Sequence, residues 1–261
     1  KLSYKREGVC PRINRSTVKT MLSQIQLKNK IESKEVVIGI WNTIGSSLLT
    51  EVFSSAGLDF QIIDLEHGAF ALNTIRQHTL ACLQYQNCTP LVRLPSISEW
   101  MIQNVLDQGA SGIVLPNITR IESLQKFIDY TKYSPDGKRG FSPYTVAGGF
   151  KVDNSENYTK DANNEIIRVA IIESIEGLQN LPELLKAESI DVYYFGAYDL
   201  SVELGCPGDT KQGKLINMIK DAVKLVDEAG KCPGGFVAKN KDDIEWLIDI
   251  GMRFITYNVD T

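Results

Sequence analysis

Eight short apolar runs, separated by segments with helical patterning, constrain the fold of this chain more than any other feature of its sequence. The runs are Val37–Trp41, Phe60–Leu65, Pro90–Leu94, Gly112–Pro116, Val169–Glu173, Val192–Gly196, Gly235–Ala238 and Phe254–Tyr257. Their hydrophobicity is nearly continuous, which is typical of parallel strands buried on both faces. Eight strands alternating with helices predict an α/β fold of the TIM (β/α)8-barrel type, with an open doubly wound sheet as the alternative.

The segments between these runs carry signals for the start and end of helices. Ser98 is placed to cap a helix that Gly109 would end. Thr119 and Glu122 have the spacing of a capping box at the start of a further helix. Asn240 is placed to open another. These signals support the predicted alternation of strands and helices.

The length and patterning of the chain favour one large domain. The chain has 261 residues, of which 43% are hydrophobic, enough to bury a sizeable single core. We expect residues 1–35 to form an N-terminal extension, in which Val18–Ile31 is an amphipathic helix covering the bottom of the barrel, and residues 36–261 to form the barrel. Residues 140–165 are polar and rich in Gly and Asn, which predicts a long loop that is functional or disordered.

Charge and cysteine usage exclude several classes of protein. The net charge of −4 gives no general attraction to nucleic acid or to an anionic membrane. The apolar runs are of strand length, far below the roughly 20 residues of a membrane helix, and residues 1–15 lack the apolar core of a signal peptide. The five cysteines include no pair with zinc-site spacing. We therefore expect a cytoplasmic protein with no nucleic-acid or membrane partner.

Polar residues gather at the ends of the predicted strands. They include Asn42, Asp64, Glu66, His67, Arg93, Asn117, Glu173, Asp199, Asn258 and Asp260. The active site of a (β/α)8 barrel lies at the carboxyl ends of its strands, where a charged group is costly unless it is paired or bound to a ligand. Any one of them could be a structural ion pair, but their convergence predicts a site. Two carboxylates without cysteine or a second histidine suit Mg2+ or Mn2+.

The strand ends also carry an ordered set of short motifs. They are Gly39-Ile40-Trp41, Ile63-Asp64-Leu65-Glu66-His67-Gly68, Leu91-Val92-Arg93, Val114-Leu115-Pro116, Gly137-Lys138-Arg139-Gly140, Ile172-Glu173-Ser174 and Gly196-Ala197-Tyr198-Asp199-Leu200-Ser201. Over residues 16–261 the chain resembles the HpcH/HpaI family of class II pyruvate aldolases, which includes 2,4-dihydroxyhept-2-ene-1,7-dioate aldolase and 2-dehydro-3-deoxyglucarate aldolase. The resemblance implies a barrel of the phosphoenolpyruvate/pyruvate-domain type.

The resemblance also implies a metal and substrate site. Glu173 and Asp199 would bind one divalent ion, and the sequence does not distinguish Mg2+, Mn2+ and Co2+. A 2-oxo acid would chelate that ion, and Arg93 would face its ketone oxygen. The residues implied in substrate binding are Trp41, Arg93, Pro116, Ala197, Tyr198 and Asp199, with backbone amides near Ala197–Asp199 holding the carboxylate.

The remaining implied roles concern proton transfer and support of the site. His67 would move protons, although a structural turn histidine is the alternative reading. The resemblance gives Asp107 a catalytic role in which it supports His67 of a neighbouring subunit, and so implies a homo-oligomer, a trimer or hexamer. Asp64, Glu66 and Arg139 are expected to orient the side chains that contact the metal and substrate, without contacting either themselves.

Two features depart from the family pattern. Ile171 stands where the family usually has glutamine, two residues before the implied metal ligand Glu173. The family also continues with a C-terminal helix beyond the equivalent of Asp260–Thr261, and we expect that helix to be absent from this sequence. Both departures bear on substrate binding and assembly.

Together the residues and the resemblance predict a carbon–carbon lyase. The expected reaction is reversible cleavage of a 4-hydroxy-2-oxo acid to pyruvate, or a similar 2-oxo acid, and an aldehyde. Stabilising the enolate with a divalent ion and a guanidinium requires no Schiff-base lysine. The alternatives are an acyl-CoA-ester lyase or an oxaloacetate decarboxylase on the same barrel, and a catalytically weak binding barrel.

Overall fold

The computed structural model of this protein describes residues 26–85, 87–150 and 155–261, and within them eight parallel strands close into a barrel. The strands are β1 (Val37–Asn42), β2 (Phe60–Asp64), β3 (Thr89–Arg93), β4 (Gly112–Leu115), β5 (Ile167–Ile172), β6 (Val192–Phe195), β7 (Cys232–Ala238) and β8 (Phe254–Val259). Each strand pairs with the next along the chain, and β8 pairs with β1, with Val37 opposite Phe254. The predicted barrel is confirmed, and the closing β1–β8 pair excludes the open sheet.

Helices alternate with the strands and surround the barrel. They are α1 (residues 26–32), α2 (Ser47–Ser55), α3 (Ile75–Leu83), α4 (Glu99–Asp107), α5 (Ile121–Thr131), α6 (Ser155–Glu165), α7 (Ile175–Leu184), α8 (Ala197–Glu203), α9 (Gly213–Glu228) and α10 (Lys241–Asp249). Several predicted runs extend one residue past the strand. Glu173 and Gly196, for example, come directly after β5 and β6, so they stand on the rim where a barrel carries its active site.

The alternation of side chains along each strand builds two apolar layers. One set fills the inside of the barrel and includes Trp41, Phe60, Val114, Ile171 and Tyr194. The other set faces the surrounding helices and forms the larger cluster. The ring of Phe60 stacks on that of Phe254, with 3.9 Å between centroids. Because both strand faces are buried, the runs read as continuously apolar in the sequence.

Helix α1 packs at the amino ends of the strands. Its Leu27 and Ile31 are buried in the same cluster as Val37 and Phe60, the first residues of β1 and β2. An ion pair of 2.6 Å joins Lys30 to Asp59, which precedes β2. Residues 18–25 of the predicted Val18–Ile31 helix lie outside the described residues.

Two of the three predicted helix caps agree with the structure, and one does not. The caps at Ser98 and Asn240 are confirmed, because their side chains accept hydrogen bonds from the backbone N–H groups of Met101 and Asp243. The predicted capping box at Thr119 is wrong, because α5 begins one residue later with Arg120 as its N-cap and no side-chain cap. The carbonyl of Thr119 accepts a hydrogen bond of 2.9 Å from Asn180, which ties the start of α5 to α7.

The prediction of a loop over residues 140–165 is wrong for its second half, which contains helix α6. This helix is polar, and an amide anchors it. Asn163 accepts a 2.6 Å hydrogen bond from the Tyr133 N–H and donates to the Tyr133 carbonyl at 3.0 Å. Because a polar side chain fixes the helix, it lacks the apolar periodicity from which helices are predicted.

Two further observations concern the chain as a whole. None of the helices in the described part of the chain is long and apolar enough to cross a membrane. Four cysteines, Cys82, Cys88, Cys206 and Cys232, are free thiols, and all but Cys206 are buried. The fifth, Cys10, lies outside the described residues.

The interior packing predicts that Gly39→Ala destabilises the barrel. A Cβ atom at Gly39 would overlap the Phe60 ring and lie 2.5 Å from the Phe60 carbonyl oxygen. Overpacking of this kind costs about 1–3 kcal/mol of unfolding free energy, measurable by urea denaturation. The matched control is Gly213→Ala at the start of α9, where a Cβ atom meets nothing within 4 Å. Equal stability of the two variants would contradict this account of the packing.

Candidate active site

A cavity of about 390 Å³ opens at the carboxyl ends of the strands. Its lining includes eight of the residues predicted from the sequence: Trp41, Asp64, His67, Arg93, Glu173, Ala197, Tyr198 and Asp199. They come from the ends of β1, β2, β3 and β5 and from the segment that follows β6. The closed barrel therefore brings together residues that are up to 158 positions apart, from Trp41 to Asp199. We call this space the rim cavity.

Arg93, the last residue of β3, is held by two carboxylates. Its Nε donates a 2.8 Å hydrogen bond to Asp64 Oδ1, and its Nη2 donates to Asp64 Oδ2, so the contact is bidentate. Its Nη1 lies 3.0 Å from Glu66 Oε2. Only 11% of the Arg93 side chain and 1% of the Asp64 side chain are exposed, so the pair is shielded from water and its orientation is fixed.

The indole of Trp41 forms one face of the guanidinium site. The centre of the Arg93 guanidinium lies 4.5 Å from the Trp41 ring centroid, within the range of a cation–π contact. The Trp41 Nε1–H donates a 3.2 Å hydrogen bond to the Tyr194 hydroxyl, which is 2.8 Å from Thr256 Oγ1. This chain of contacts from β1 to β6 and β8 fixes the indole beneath Arg93.

Asp64 also shapes the turn that carries Glu66 and His67. Its Oδ1 accepts hydrogen bonds from the backbone N–H groups of Glu66 at 2.9 Å and His67 at 3.2 Å. Gly68 closes the turn through a 3.1 Å bond from its N–H to the Asp64 carbonyl. A Cβ atom at Gly68 would overlap that carbonyl, so the motif requires glycine there.

Carboxylates form a second wall of the rim cavity. Glu173 follows β5 and accepts a 2.7 Å hydrogen bond from the Asn117 N–H. The pKa of Glu173 is raised to about 7, chiefly because the side chain is partly buried; the hydrogen bond from Asn117 opposes the shift, and the nearby Asp199 and Glu66 add to it. Burial also raises the pKa of Glu66. A carboxylate whose charged form is disfavoured in this way gains from a nearby cation.

These carboxylates fit a hard divalent cation. Glu173 and Asp199 supply oxygen donors on one wall. Burial and the nearby carboxylates of Asp199 and Glu66 disfavour the charged form of Glu173, which a bound cation would favour. In the described residues, no group of three or more His, Cys, Asp or Glu side chains could hold a metal alone. Two carboxylates completed by water and substrate oxygens suit Mg2+ or Mn2+.

Some predicted site residues lie outside the lining of the rim cavity. Pro116 is buried and is not among the lining residues. Asp107, at the end of α4, pairs with Arg139 at 2.8 Å in this chain, and the Arg139 guanidinium lies over the Tyr133 ring at 4.5 Å. His67 is exposed at the cavity, so its imidazole is open to a ligand or another subunit.

The lining also includes residues that the sequence analysis did not select. They are Thr43, Tyr194, Phe195, Thr210 and Val259. The alternation of side chains along β6 could have predicted Tyr194, since it shares the inward face of the strand with Val192. Thr210 lies in a loop, where the sequence has no periodic pattern to predict it. Thr43 is fixed by Asp260, whose carboxylate accepts bonds from the Thr43 N–H at 2.7 Å and its hydroxyl at 2.6 Å.

The fold and the rim cavity define a (β/α)8-barrel enzyme with a fixed arginine beside an acidic wall, and comparison with known proteins identifies its family. The family model described as HpcH/HpaI aldolase/citrate lyase matches residues 37–261. The chain therefore belongs to this family, as the sequence motifs predicted. Divalent-metal dependence is general in the family.

Individual relatives match along most of the chain. The hydroxypyruvate/pyruvate aldolase of Roseovarius nubinhibens is 30% identical over 233 residues, covering 89% of this chain and 90% of that protein. The 2-keto-3-deoxy-L-rhamnonate aldolase of Escherichia coli K12 is 30% identical over 236 residues, covering 90% and 86%. The crystal structure of the HpcH/HpaI aldolase from Desulfitobacterium hafniense DCB-2 superposes with a TM-score of 0.84 at 27% identity, covering 90% of each chain. The predicted carbon–carbon lyase class is confirmed.

The geometry predicts that Asp64→Ala destabilises the protein far more than Glu66→Ala. Asp64 is 1% exposed and its loss leaves Arg93 buried without its bidentate partner, whereas Glu66 is 23% exposed. Removing one partner of a buried pair costs about 3–5 kcal/mol, and a partly exposed pair contributes about 1 kcal/mol or less. Urea denaturation of both variants measures the difference. Similar losses would show that Asp64 does not anchor Arg93.

Proposed function

We propose that this protein is a divalent-metal-dependent aldolase that reversibly cleaves a 4-hydroxy-2-oxo acid into pyruvate, or a similar 2-oxo acid, and an aldehyde. The observation that carries the proposal is the fixed Arg93 guanidinium beside the carboxylates of Glu173 and Asp199 in one cavity. The names of the Roseovarius and Escherichia relatives support the substrate class. The proposal includes a homo-oligomer, a trimer or hexamer.

Glu173 and Asp199 would hold one Mg2+, Mn2+ or Co2+ ion through their carboxylate oxygens. When bound, the ion would act as a Lewis acid on the carboxylate and ketone of the 2-oxo acid. The position of Glu173 depends on Gly196, because a Cβ atom there would lie 2.5 Å from the Glu173 Cβ atom. The small residue after β6 thus makes room for the carboxylate.

Arg93 would stabilise the negative charge that develops on the ketone oxygen. A guanidinium has five N–H donors; two of them donate to Asp64, and Nη1 also lies 3.0 Å from Glu66 Oε2. Arg93 lines the cavity together with Trp41, Ala197 and Tyr198, so its remaining Nη hydrogens would donate to an oxygen of the substrate there. A preorganised donor aimed at developing charge is worth about 10²–10³-fold in rate.

His67 would exchange protons with the substrate at the cavity mouth. Asp64 orients the turn that carries it, and Asp64 and Glu66 both hold Arg93. Asp107 would approach His67 of a neighbouring subunit, and Arg139 would orient Asp107 through their 2.8 Å ion pair. Pro116, buried beside Asn117, would act on the substrate only through the backbone that positions Glu173.

The chemistry of the cavity favours this reaction over a Schiff-base mechanism. The described residues that line the rim cavity include no lysine, whereas class I aldolases need one as the nucleophile. An acyl-CoA-ester lyase, an oxaloacetate decarboxylase and a catalytically weak binding barrel are the rival functions. Product analysis with acyl-CoA esters, oxaloacetate and 4-hydroxy-2-oxo acids separates them.

Exchange of pyruvate methyl protons with D2O is the first test of the function, because enolisation requires no aldehyde. We expect exchange in the presence of Mg2+ or Mn2+, its loss with EDTA, and its restoration by added metal. Glu173→Gln should abolish exchange and weaken Mn2+ binding, read by electron paramagnetic resonance, because it removes one anionic ligand.

The matched control for this test is Glu176→Gln on α7. Glu176 is exposed and lies 3.7 Å from Arg120, outside the residues that line the rim cavity. The Glu176→Gln variant should bind Mn2+ and catalyse proton exchange as well as the wild-type protein does. Exchange that is insensitive to EDTA, or normal Mn2+ binding by Glu173→Gln, would refute the metal site.

The apolar side chain of Ile171 is expected to affect the relative affinity of the site for pyruvate and for larger 2-oxo acids. Its side chain is 1% exposed and lines the rim cavity, where a glutamine could donate a hydrogen bond to a bound oxygen. Losing such a bond costs on the order of 1 kcal/mol, or about fivefold in affinity. We therefore expect Ile171→Gln to tighten pyruvate binding severalfold and to weaken binding of 2-oxobutyrate.

Ile171→Met is the matched control, because methionine has the reach of glutamine without its amide. It should leave the preference unchanged or shift it toward 2-oxobutyrate. Calorimetric titration with both acids gives the affinities. If glutamine and methionine have the same effect, a hydrogen bond from position 171 plays no part in specificity.

A further inference from the structure

A second cavity, of about 280 Å³, lies at the opposite end of the barrel. We call it the basal cavity. Lys28 of α1, Lys132 after α5, Arg168 of β5 and Lys231 before β7 line it. Asp191, one residue before β6, and the exposed Glu32 and Glu188 also line it. These positions are at the amino ends of the strands, so the basal cavity is separated from the rim cavity by the length of the barrel.

The cations of the basal cavity are largely paired with neutral oxygens. Lys132 Nζ donates a 2.7 Å hydrogen bond to Ser189 Oγ, and Lys231 Nζ donates to the backbone carbonyl of Glu188. The guanidinium of Arg168 donates to Thr131 Oγ1 at 2.6 Å and to two backbone carbonyls. In the described part of the chain, none of these contacts supplies a negative charge.

One carboxylate is shared by this group. Asp191 Oδ1 lies 3.2 Å from Lys28 Nζ, and its Oδ2 accepts a 2.8 Å hydrogen bond from the Arg168 N–H. Its side chain is 14% exposed. The other two acidic residues in the lining, Glu32 and Glu188, are exposed, so water screens them. The lining thus has four cationic and three acidic side chains, and of the three acids Asp191 is the one shielded from water.

The cations also repel one another. Burial lowers the pKa of Lys132, and the nearby charges of Arg168 and Lys28 lower it further, against the opposing effect of Asp136 and Asp191. Burial likewise lowers the pKa of Lys231; Asp191 and Glu188 oppose this effect, and Lys28 adds to it. Partly buried cations that repel one another and outnumber the acids around them are stabilised by an anion that enters among them.

We propose that the basal cavity is a binding site for a small phosphate-type dianion. Lysine ammonium groups act as point charges for phosphate, and Lys28, Lys132 and Lys231 reach the cavity from three different elements. The dianion would lie among these cations at the base of β5 and β6, the strands that lead to Glu173 and Asp199. This site is independent of the proposed aldolase activity.

The dianion has two sources, inorganic phosphate and the phosphate group of a small metabolite. Both are tested by thermal unfolding of the full chain, in inorganic phosphate, in glycerol 3-phosphate and in chloride of equal ionic strength. Binding to the folded state alone raises the melting temperature. We expect a rise of at least about 2 °C with a phosphate group over chloride. A larger rise with glycerol 3-phosphate identifies a phosphorylated metabolite, and an equal rise identifies the inorganic ion.

Lysine variants test whether the phosphate-dependent rise in melting temperature comes from the basal cavity. Lys132→Met and Lys231→Met should each lose most of the phosphate-dependent rise, because each removes one cation while keeping an apolar stem. Lys126→Met, at an exposed lysine of α5 outside the basal cavity, should keep it. Equal rises in phosphate and chloride, or a full rise in both basal variants, would overturn the proposal.

A measurement on the wild-type protein tests the same site without relying on variants that could misfold. Lysine acylation followed by mass spectrometry reports the accessibility of each ammonium group. Phosphate should protect Lys132 and Lys231 from acylation and leave Lys126 unchanged. Unprotected basal lysines at a phosphate concentration that raises the melting temperature would place the anion elsewhere and refute the basal site.

Discussion

The bidentate contact between Asp64 and Arg93 is the interaction on which the rest of the site depends. Removing two charges from water costs several kcal/mol per ion, and only good geometry with additional hydrogen bonds offsets that cost. Asp64 meets both conditions, since it binds two guanidinium nitrogens and accepts two backbone N–H groups. One carboxylate therefore orients Arg93 and the turn that carries Glu66 and His67.

The barrel converts this local arrangement into an enzyme site. Trp41 supports the guanidinium from below through its contact with Tyr194, and the barrel places Glu173 on the wall after β5. A fixed positive charge and an acidic wall then share one cavity. A divalent ion would balance the acidic wall, and Arg93 would face the charge that forms on a 2-oxo acid.

The fold was predictable because strands buried on both faces are apolar throughout, and the motifs at their ends identified the family. The sequence could not predict helix α6, which Asn163 anchors through hydrogen bonds to Tyr133. Nor could it show that Thr210 joins the cavity, because a loop has no periodicity. The basal cavity was also missed, since its cations are scattered along the sequence and meet only in the folded chain.

The rate of pyruvate proton exchange in Arg93→Lys, measured together with pyruvate affinity, tests the central claim most directly. Lysine keeps the charge but cannot make the bidentate contact with Asp64 or present a planar fork to the substrate. The account predicts a fall in exchange rate of about 100-fold or more, with a much smaller change in pyruvate affinity. An unchanged exchange rate would show that Arg93 is a structural residue and would contradict the account.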